Sequence, residues 1–134
     1  MAVGESVMQI TIPLPPVTKK THQQIIRAKG RYMVIPSPQY RAYEKDCKPY
    51  MPVLDEPISE PVELKCAFYM PTHRACDLTN LLQAVCDILV KYKVIADDNF
   101  NIVASVDGSR VLYDKEFPRT EVTITPINCS NEGR

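Results

Sequence analysis

The chain lacks the features that mark several classes of protein. No apolar run is long enough to cross a membrane, and Met1–Thr11 lacks the basic segment and apolar core of a signal peptide. The sequence contains no internal repeat and no low-complexity tract, so solenoids and extended linkers are excluded. We therefore expect a cytoplasmic protein that makes no contact with a membrane.

The cysteines give no indication of a disulfide framework or a zinc site. Their number, five, is odd, and no two of them are separated by only two residues. Reduced thiols that pack as small apolar side chains fit this pattern. A chain of 134 residues buries a core without cross-links. We expect a single domain over 1–134, with its core at about 7–126 and a flexible tail at 127–134.

The chain also lacks net charge, because 16 basic residues balance 16 acidic ones. The distribution of charge is uneven, however. Acidic residues are in excess in Asp55–Glu63 and from Asp97 onward, whereas the stretch from Thr18 to Tyr50 is basic. Its cations are Lys19, Lys20, Arg27, Lys29, Arg31, Arg41, Lys45 and Lys48. This asymmetry suits a phosphate-contacting surface beside a carboxylate metal site, and it equally suits an ordinary solvated surface.

Hydrophobic periodicity predicts an α+β domain. Strand patterns cover Val7–Ile12, Val62–Met70, Asn101–Val106, Arg110–Tyr113 and Thr120–Thr125. A hairpin is predicted from Gln24–Arg27 and Tyr32–Ile35, with its turn at Ala28–Arg31. One helix begins at the Ser37-Pro38 cap and ends near Lys48, and a second covers Asp77–Tyr92. The predicted architecture is a mixed or antiparallel β-sheet covered by two main α-helices.

The second helix is amphipathic. Its apolar stripe, at spacings of three and four, predicts a buried face formed by Leu78, Leu81, Leu82, Val85, Leu89 and Tyr92. The opposite stripe is polar and consists of Asn80, Gln83, Asp87 and Lys91. Taken singly, Asp87 fits a solvated helix face, so this stripe alone does not establish a site.

Acidic residues flank this helix at both ends. Asp77 precedes its first turn and fits a helix cap whose carboxylate accepts backbone amides. Asp97 and Asp98 follow the helix and fit an ordinary turn. Taken together, the carboxylates also fit a divalent metal site, because Mg²⁺ prefers oxygen ligands and needs few of them from the protein. Such an ion polarises a phosphodiester and generates hydroxide from bound water.

The order of these motifs resembles a known family. Asp77–Leu81, Asp87–Leu89 and Ala96–Asn99 are similar in sequence and spacing to the RusA-type Holliday junction resolvases of prophages and bacteria. The proline-rich strand end Ile12–Pro16 also resembles that family. The resemblance extends roughly from Ile10 to Thr125.

The resemblance implies a dimeric, Mg²⁺-dependent endonuclease that cuts four-way DNA junctions, with Mn²⁺ as the alternative ion. It implies Asp77 and Asp98 as catalytic residues, with Asp97 as a further metal ligand. Asn80 and Asp87 support the site. The residues expected to contact DNA phosphates are Lys19, Lys20, Arg27, Lys29, Arg31 and Arg74, the last because its guanidinium matches phosphate geometry. His73 is a candidate phosphate contact or proton carrier, or an exposed turn residue.

Two positions depart from the family pattern. The family motif is Asp-x-Asp-Asn-Leu, but Thr79 replaces its second aspartate, and Gln83 replaces a lysine that follows the asparagine by three residues. Asp87 or Asp97 would have to replace the missing carboxylate, and Lys91 or Arg74 the missing cation. Three alternatives follow: an endonuclease, a junction-binding protein without catalysis, and a structural homodimer with no nucleic-acid role.

Overall fold

The computed structural model describes residues 7–20 and 24–127. In these residues the chain forms β1 (Met8–Ile12), β2 (Gln24–Ala28), β3 (Arg31–Ile35), α1 (Pro38–Asp46), a 3-10 turn (Lys48–Tyr50), β4 (Val62–Met70), α2 (Leu78–Lys91), β5 (Val103–Ser105), β6 (Arg110–Tyr113) and β7 (Arg119–Pro126). The predicted class, a mixed sheet with two helices, is confirmed. Most of the predicted tail lies outside the described residues.

The main sheet has the order β1-β7-β4, with β5 and β6 one after the other along the outer edge of β4. β7 runs antiparallel to both β1 and β4, whereas β5 and β6 run parallel to β4. Parallel neighbours need a crossover connection. α2 provides that crossover between β4 and β5, and this connection brings the acidic turn that follows α2 back beside the helix.

The core lies between one face of the sheet and the helices. Alternate residues of β4, from Val62 to Phe68, are buried in the same apolar cluster as the inner face of α2. Lys65, between them, is exposed on the opposite face of the sheet. This alternation follows from the period of two in a β-strand.

α1 begins as the Ser37-Pro38 pattern predicts. Ser37 accepts a hydrogen bond from the backbone amide of Tyr40 at 3.0 Å, and Pro38 occupies the first turn. Tyr40 and Tyr43 are buried. The two helices are linked where the hydroxyl of Tyr92 donates to the backbone carbonyl of Glu44 at 2.8 Å.

The buried face of α2 is wider than the apolar stripe predicts. Leu81, Val85 and Leu89 are buried, and the other predicted members are half-buried against the core. Ala84 and Ile88 are also buried but were not among the predicted residues. Ala84 and Ile88 belong to the same core cluster as Val94 and Ile95, which follow the helix.

Ser109 joins the two short strands on the outer edge of β4. Its hydroxyl accepts from the backbone amide of Cys66 at 3.0 Å and lies 3.4 Å from the carbonyl oxygen of Leu64. The hydroxyl therefore continues the ladder between β5 and β6. Gly108, just before it, has φ of +84° and approaches the Lys65 side chain too closely for a Cβ.

β2 and β3 form the predicted hairpin, as a two-stranded sheet separate from the main one. Lys29 and Gly30 occupy its turn with φ of 54° and 76°, which is the requirement of a type I′ turn. Nearly every residue of both strands is exposed. In the part of the chain that the structure describes, neither helix is long and apolar enough to cross a membrane.

Candidate functional site

Asp77 occupies the cap position of α2, but its carboxylate does not cap the helix. Its backbone carbonyl accepts from the amides of Asn80 and Leu81 at 3.1 and 3.2 Å, while its side chain makes no capping hydrogen bond. The carboxylate instead accepts from the side-chain amide of Asn80 at 3.2 Å. The interpretation of this carboxylate as a cap is therefore wrong, and Asn80 holds an exposed negative charge at the mouth of the helix.

A cavity of about 310 Å³ opens at this mouth. Its walls include Asp77 and Asn80 from α2, and Thr18 and Lys20 from the segment that follows β1. One predicted DNA contact, Lys20, thus shares a cavity with one predicted catalytic carboxylate.

Asp87 lies further along the same helix and is engaged at both oxygens. Lys19 Nζ lies 2.8 Å from its Oδ2, and Gln83 Nε2 donates to its Oδ1 at 3.1 Å. Asp87 Oδ2 is shielded from solvent, and its partner is this ammonium. The polar stripe of α2 is therefore an ordered network in this region.

The acidic turn after α2 has one structural carboxylate and one that is less engaged. Asp97 accepts from the backbone amide of Asp98 at 2.7 Å and from the side chain of Asn99 at 3.2 Å, so it shapes the turn. Burial raises the pKa of Asp98, and so do a hydrogen bond with Asp97 and the negative charges of Asp87 and Asp97. The negative charge of Asp87, on the polar stripe of α2, therefore acts on Asp98.

The two acidic regions lie at different levels of α2. Asp77 and Asp87 are ten positions apart, which corresponds to about 15 Å along a helix axis. Two adjacent lysines serve the two regions. Lys19 contacts Asp87, and Lys20 lines the cavity at Asp77. The segment after β1 therefore crosses the polar face of the helix and places positive charge between its carboxylates.

The remaining predicted DNA contacts lie on other elements. Arg27, Lys29 and Arg31 belong to the exposed hairpin, where the guanidinium of Arg27 lies 5.6 Å from the ring centre of Tyr32. Arg74 is exposed in the turn before α2. In residues 7–20 and 24–127, no ion pair joins any of these four cations to a carboxylate.

His73 stacks on the ring of Tyr113, with ring centres 3.8 Å apart. This contact fixes the turn before α2 against β6. Lys91, an alternative source of the missing cation, lies 3.8 Å from Glu44 and so pairs with α1.

The donor chemistry of the acidic turn suits a hard divalent cation. Magnesium keeps several waters and is held by one or two carboxylates, and Asp97 and Asp98 are two adjacent, exposed carboxylates. No group of three His, Cys, Asp or Glu side chains in the described ranges forms a metal site by itself. The residues therefore fit an open, water-rich ion, and they do not fit a closed site of the zinc type.

Tyr40 belongs to this region, although the sequence indicated only a core residue. Its ring is buried, its hydroxyl has no hydrogen-bond partner among the described residues, and the ammonium of Lys19 lies 6.0 Å from its ring centre. Burial raises the pKa of Tyr40, and so do the charges of Glu44 and Asp87. This proximity depends on packing between α1 and α2, which no local pattern encodes.

The fold and site define a small α+β domain with carboxylates and lysines on one face of a helix. Residues 13–125 match the family described as endodeoxyribonuclease RusA. Because the match covers most of the 134 residues, the chain belongs to the RusA family of endodeoxyribonucleases. No individual curated protein matches the chain.

Proposed function

We propose that the protein is a metal-dependent DNA endonuclease that resolves four-way junctions in recombination and repair. The observation that carries the proposal is the set of charged groups along one face of α2, with Asp77 held by Asn80 beside Lys20 at the mouth of the helix and Lys19 paired with Asp87 further along. Family membership supplies the reaction class. Carboxylates beside cations are the groups that phosphodiester hydrolysis requires.

We assign the following roles to the residues of the site. Asp98 and Asp97 are the proposed ligands of a Mg²⁺ ion, with Mn²⁺ as the alternative, and Asp77 contributes a carboxylate from the mouth of the helix. A bound ion of this kind polarises the phosphate and lowers the pKa of a coordinated water. Asn80 orients Asp77, and Lys20 and Arg74 bind phosphates that flank the cut. Two copies in a homodimer present two such sites to the two strands that are cut.

The test is cleavage of a labelled four-way junction by the purified protein with Mg²⁺ or Mn²⁺. We expect paired symmetric nicks that are lost in Asp98→Asn and Asp77→Asn. Asp107→Asn removes a carboxylate from the exposed turn between β5 and β6 and is the matched control. Equal cleavage by wild type and both site variants would contradict the proposal.

A second candidate function is junction binding without cleavage. Thr79 is exposed on the helix, where the family motif has a carboxylate, and the side chain of Gln83 is occupied with Asp87. Binding that depends on salt but not on metal, with no nicks in either metal, would favour this candidate.

A further inference from the structure

A lysine reaches the acidic face of α2 from a distant part of the chain. The ammonium of Lys19 lies 2.8 Å from Asp87 Oδ2, while the lysine side chain is 40% exposed. An ammonium has three donor hydrogens, and its contact with Asp87 is an ion pair, because Asp87 Oδ2 accepts no hydrogen bond from the described residues. The geometry thus fixes a cation at a defined point and leaves it accessible from solvent.

Gln83 and Tyr40 further restrict the position of the Lys19 ammonium. Gln83 donates to the second oxygen of Asp87 at 3.1 Å, so one carboxylate oxygen accepts a hydrogen bond and the other faces the ammonium. With both oxygens engaged, Asp87 serves to position Lys19. The buried ring of Tyr40, with its centre 6.0 Å from the ammonium, borders the same position.

The fixed cation lies beside the cavity at the mouth of α2. Lys20, the next residue in the chain, lines that cavity together with Asp77 and Asn80. A phosphodiester held along this face of the helix would bring its non-bridging oxygens toward Lys19. In hydrolysis the oxygen of water bonds to phosphorus and the phosphorus–oxygen bond to the sugar breaks. One proton ends on the departing sugar oxygen, and the other passes to solvent. Negative charge grows on the non-bridging oxygens in this step, and a positioned cation stabilises it.

We propose that Lys19 supplies the scissile phosphate with the positive charge that position 83 of α2, a glutamine in this chain, does not carry. The inference rests on the proposed junction cleavage and assigns a source of charge within it. Lys19 and Gln83 share one partner, Asp87. A lysine introduced at position 83 would therefore place its ammonium on the same part of the helix face.

The test is single-turnover cleavage of a four-way junction in Mg²⁺ by the full chain. The variants are Lys19→Ala and the double variant Lys19→Ala/Gln83→Lys, with Lys65→Ala, from the opposite face of the sheet, as the control. We expect Lys19→Ala to cut about 100-fold more slowly and the double variant to regain at least about tenfold of that rate. Lys19→Ala leaves the shielded Oδ2 of Asp87 without its ion-pair partner, so the melting temperature of each variant is measured beside its rate.

Three results would overturn the inference. They differ in whether they also contradict the proposed function. Cleavage by Lys19→Ala within about threefold of wild type leaves the proposed function standing and removes the role of Lys19. A double variant no faster than Lys19→Ala assigns the slower cleavage to disturbed structure. A wild-type protein that cuts no junction with Mg²⁺ or Mn²⁺ removes the proposed function and this inference with it.

Discussion

The side-chain amide of Asn80 donates to the carboxylate of Asp77 at 3.2 Å, and no backbone amide of α2 is capped by that carboxylate. Ser37, at the start of α1, does cap its helix, because it accepts from the amide of Tyr40 at 3.0 Å in a buried position. Both helices begin with a residue type that favours caps, yet only Ser37 is used that way. The Asp77 carboxylate therefore caps no backbone amide, and its contribution to the helix is limited to the interaction of its charge with the helix dipole.

This contrast predicts different costs for removing the two side chains. Asp77→Ala should lower the free energy of unfolding by less than about 0.5 kcal/mol, whereas Ser37→Ala should lower it by about 1 kcal/mol or more. Urea unfolding of both variants measures the difference. Junction cleavage should be abolished only in Asp77→Ala. Equal destabilisation by the two substitutions would return Asp77 to the role of a cap.

The raised pKa of Asp98 predicts that the free energy of unfolding falls as the pH rises. Burial, together with Asp97 and Asp87, raises its pKa above the value near 3.9 typical of an unfolded chain. Between the unfolded and folded pKa values the folded state holds more protons, so the free energy of unfolding decreases as the pH rises through that window. Above the raised pKa, Asp98 is ionised in the folded state, and the full loss of stability that its charge causes is present.

Asp98→Asn tests this prediction because it removes the charge and keeps the shape. Urea unfolding between about pH 4 and about pH 7 should show a smaller decrease for the variant than for wild type. At neutral pH the variant should be the more stable of the two. Added Mg²⁺ should raise the stability of wild type alone. If the free energy of unfolding of the two proteins varies with pH in the same way, the pKa of Asp98 is not raised by the fold.

The sequence predicted those parts of the fold that depend on local patterns. The alternation of Val62–Met70 and the Lys29-Gly30 turn are local, and both elements form where expected. The position of Ser109 between β5 and β6 is not encoded locally. Its hydroxyl bonds to the backbone of Cys66 and Leu64, which are more than forty positions away. Strand order depends on such distant contacts.

The site divides in the same way. Asp77 and Asp98 were identified because their motifs lie beside a recognisable helix, and the structure places Asp77 at the mouth of that helix and Asp98 in the segment that follows it. The pairing of Lys19 with Asp87 could not be predicted, because it arises only when the segment after β1 crosses the helix. The cation beside Asp87 is Lys19, whereas Lys91 pairs with Glu44 and Arg74 lies in the turn before α2.

We expect the cations of the hairpin to cause a large share of the salt dependence of DNA binding. Arg27, Lys29 and Arg31 lie on an exposed two-stranded element that contains no acidic residue from Gln24 to Ile35. Each cation that neutralises a DNA phosphate adds about 0.9 to the slope of log affinity against log salt. Changing all three cations to glutamine should therefore reduce the slope by up to about 3, as measured by fluorescence anisotropy.

Two comparisons isolate this effect of the hairpin. Lys65→Gln removes one cation from the opposite face of the main sheet and should leave the slope unchanged. The melting temperature of the triple variant should match that of wild type, because in the described ranges none of the three cations forms an ion pair. An unchanged slope in the triple variant would place the DNA on another surface.

Restoring a carboxylate at position 79 should strengthen metal-dependent cleavage. Thr79 is exposed and lies one turn before Gln83 and two turns before Asp87, so the three share one face of α2. An aspartate there adds an oxygen ligand between the two acidic regions, and its charge is favoured in the first turn of a helix. We expect Thr79→Asp to lower the Mg²⁺ concentration for half-maximal cleavage by about tenfold. Thr79→Asn, which has the same shape without the charge, should titrate like wild type. If both variants titrate like wild type, the polar face of α2 is not where the ion binds.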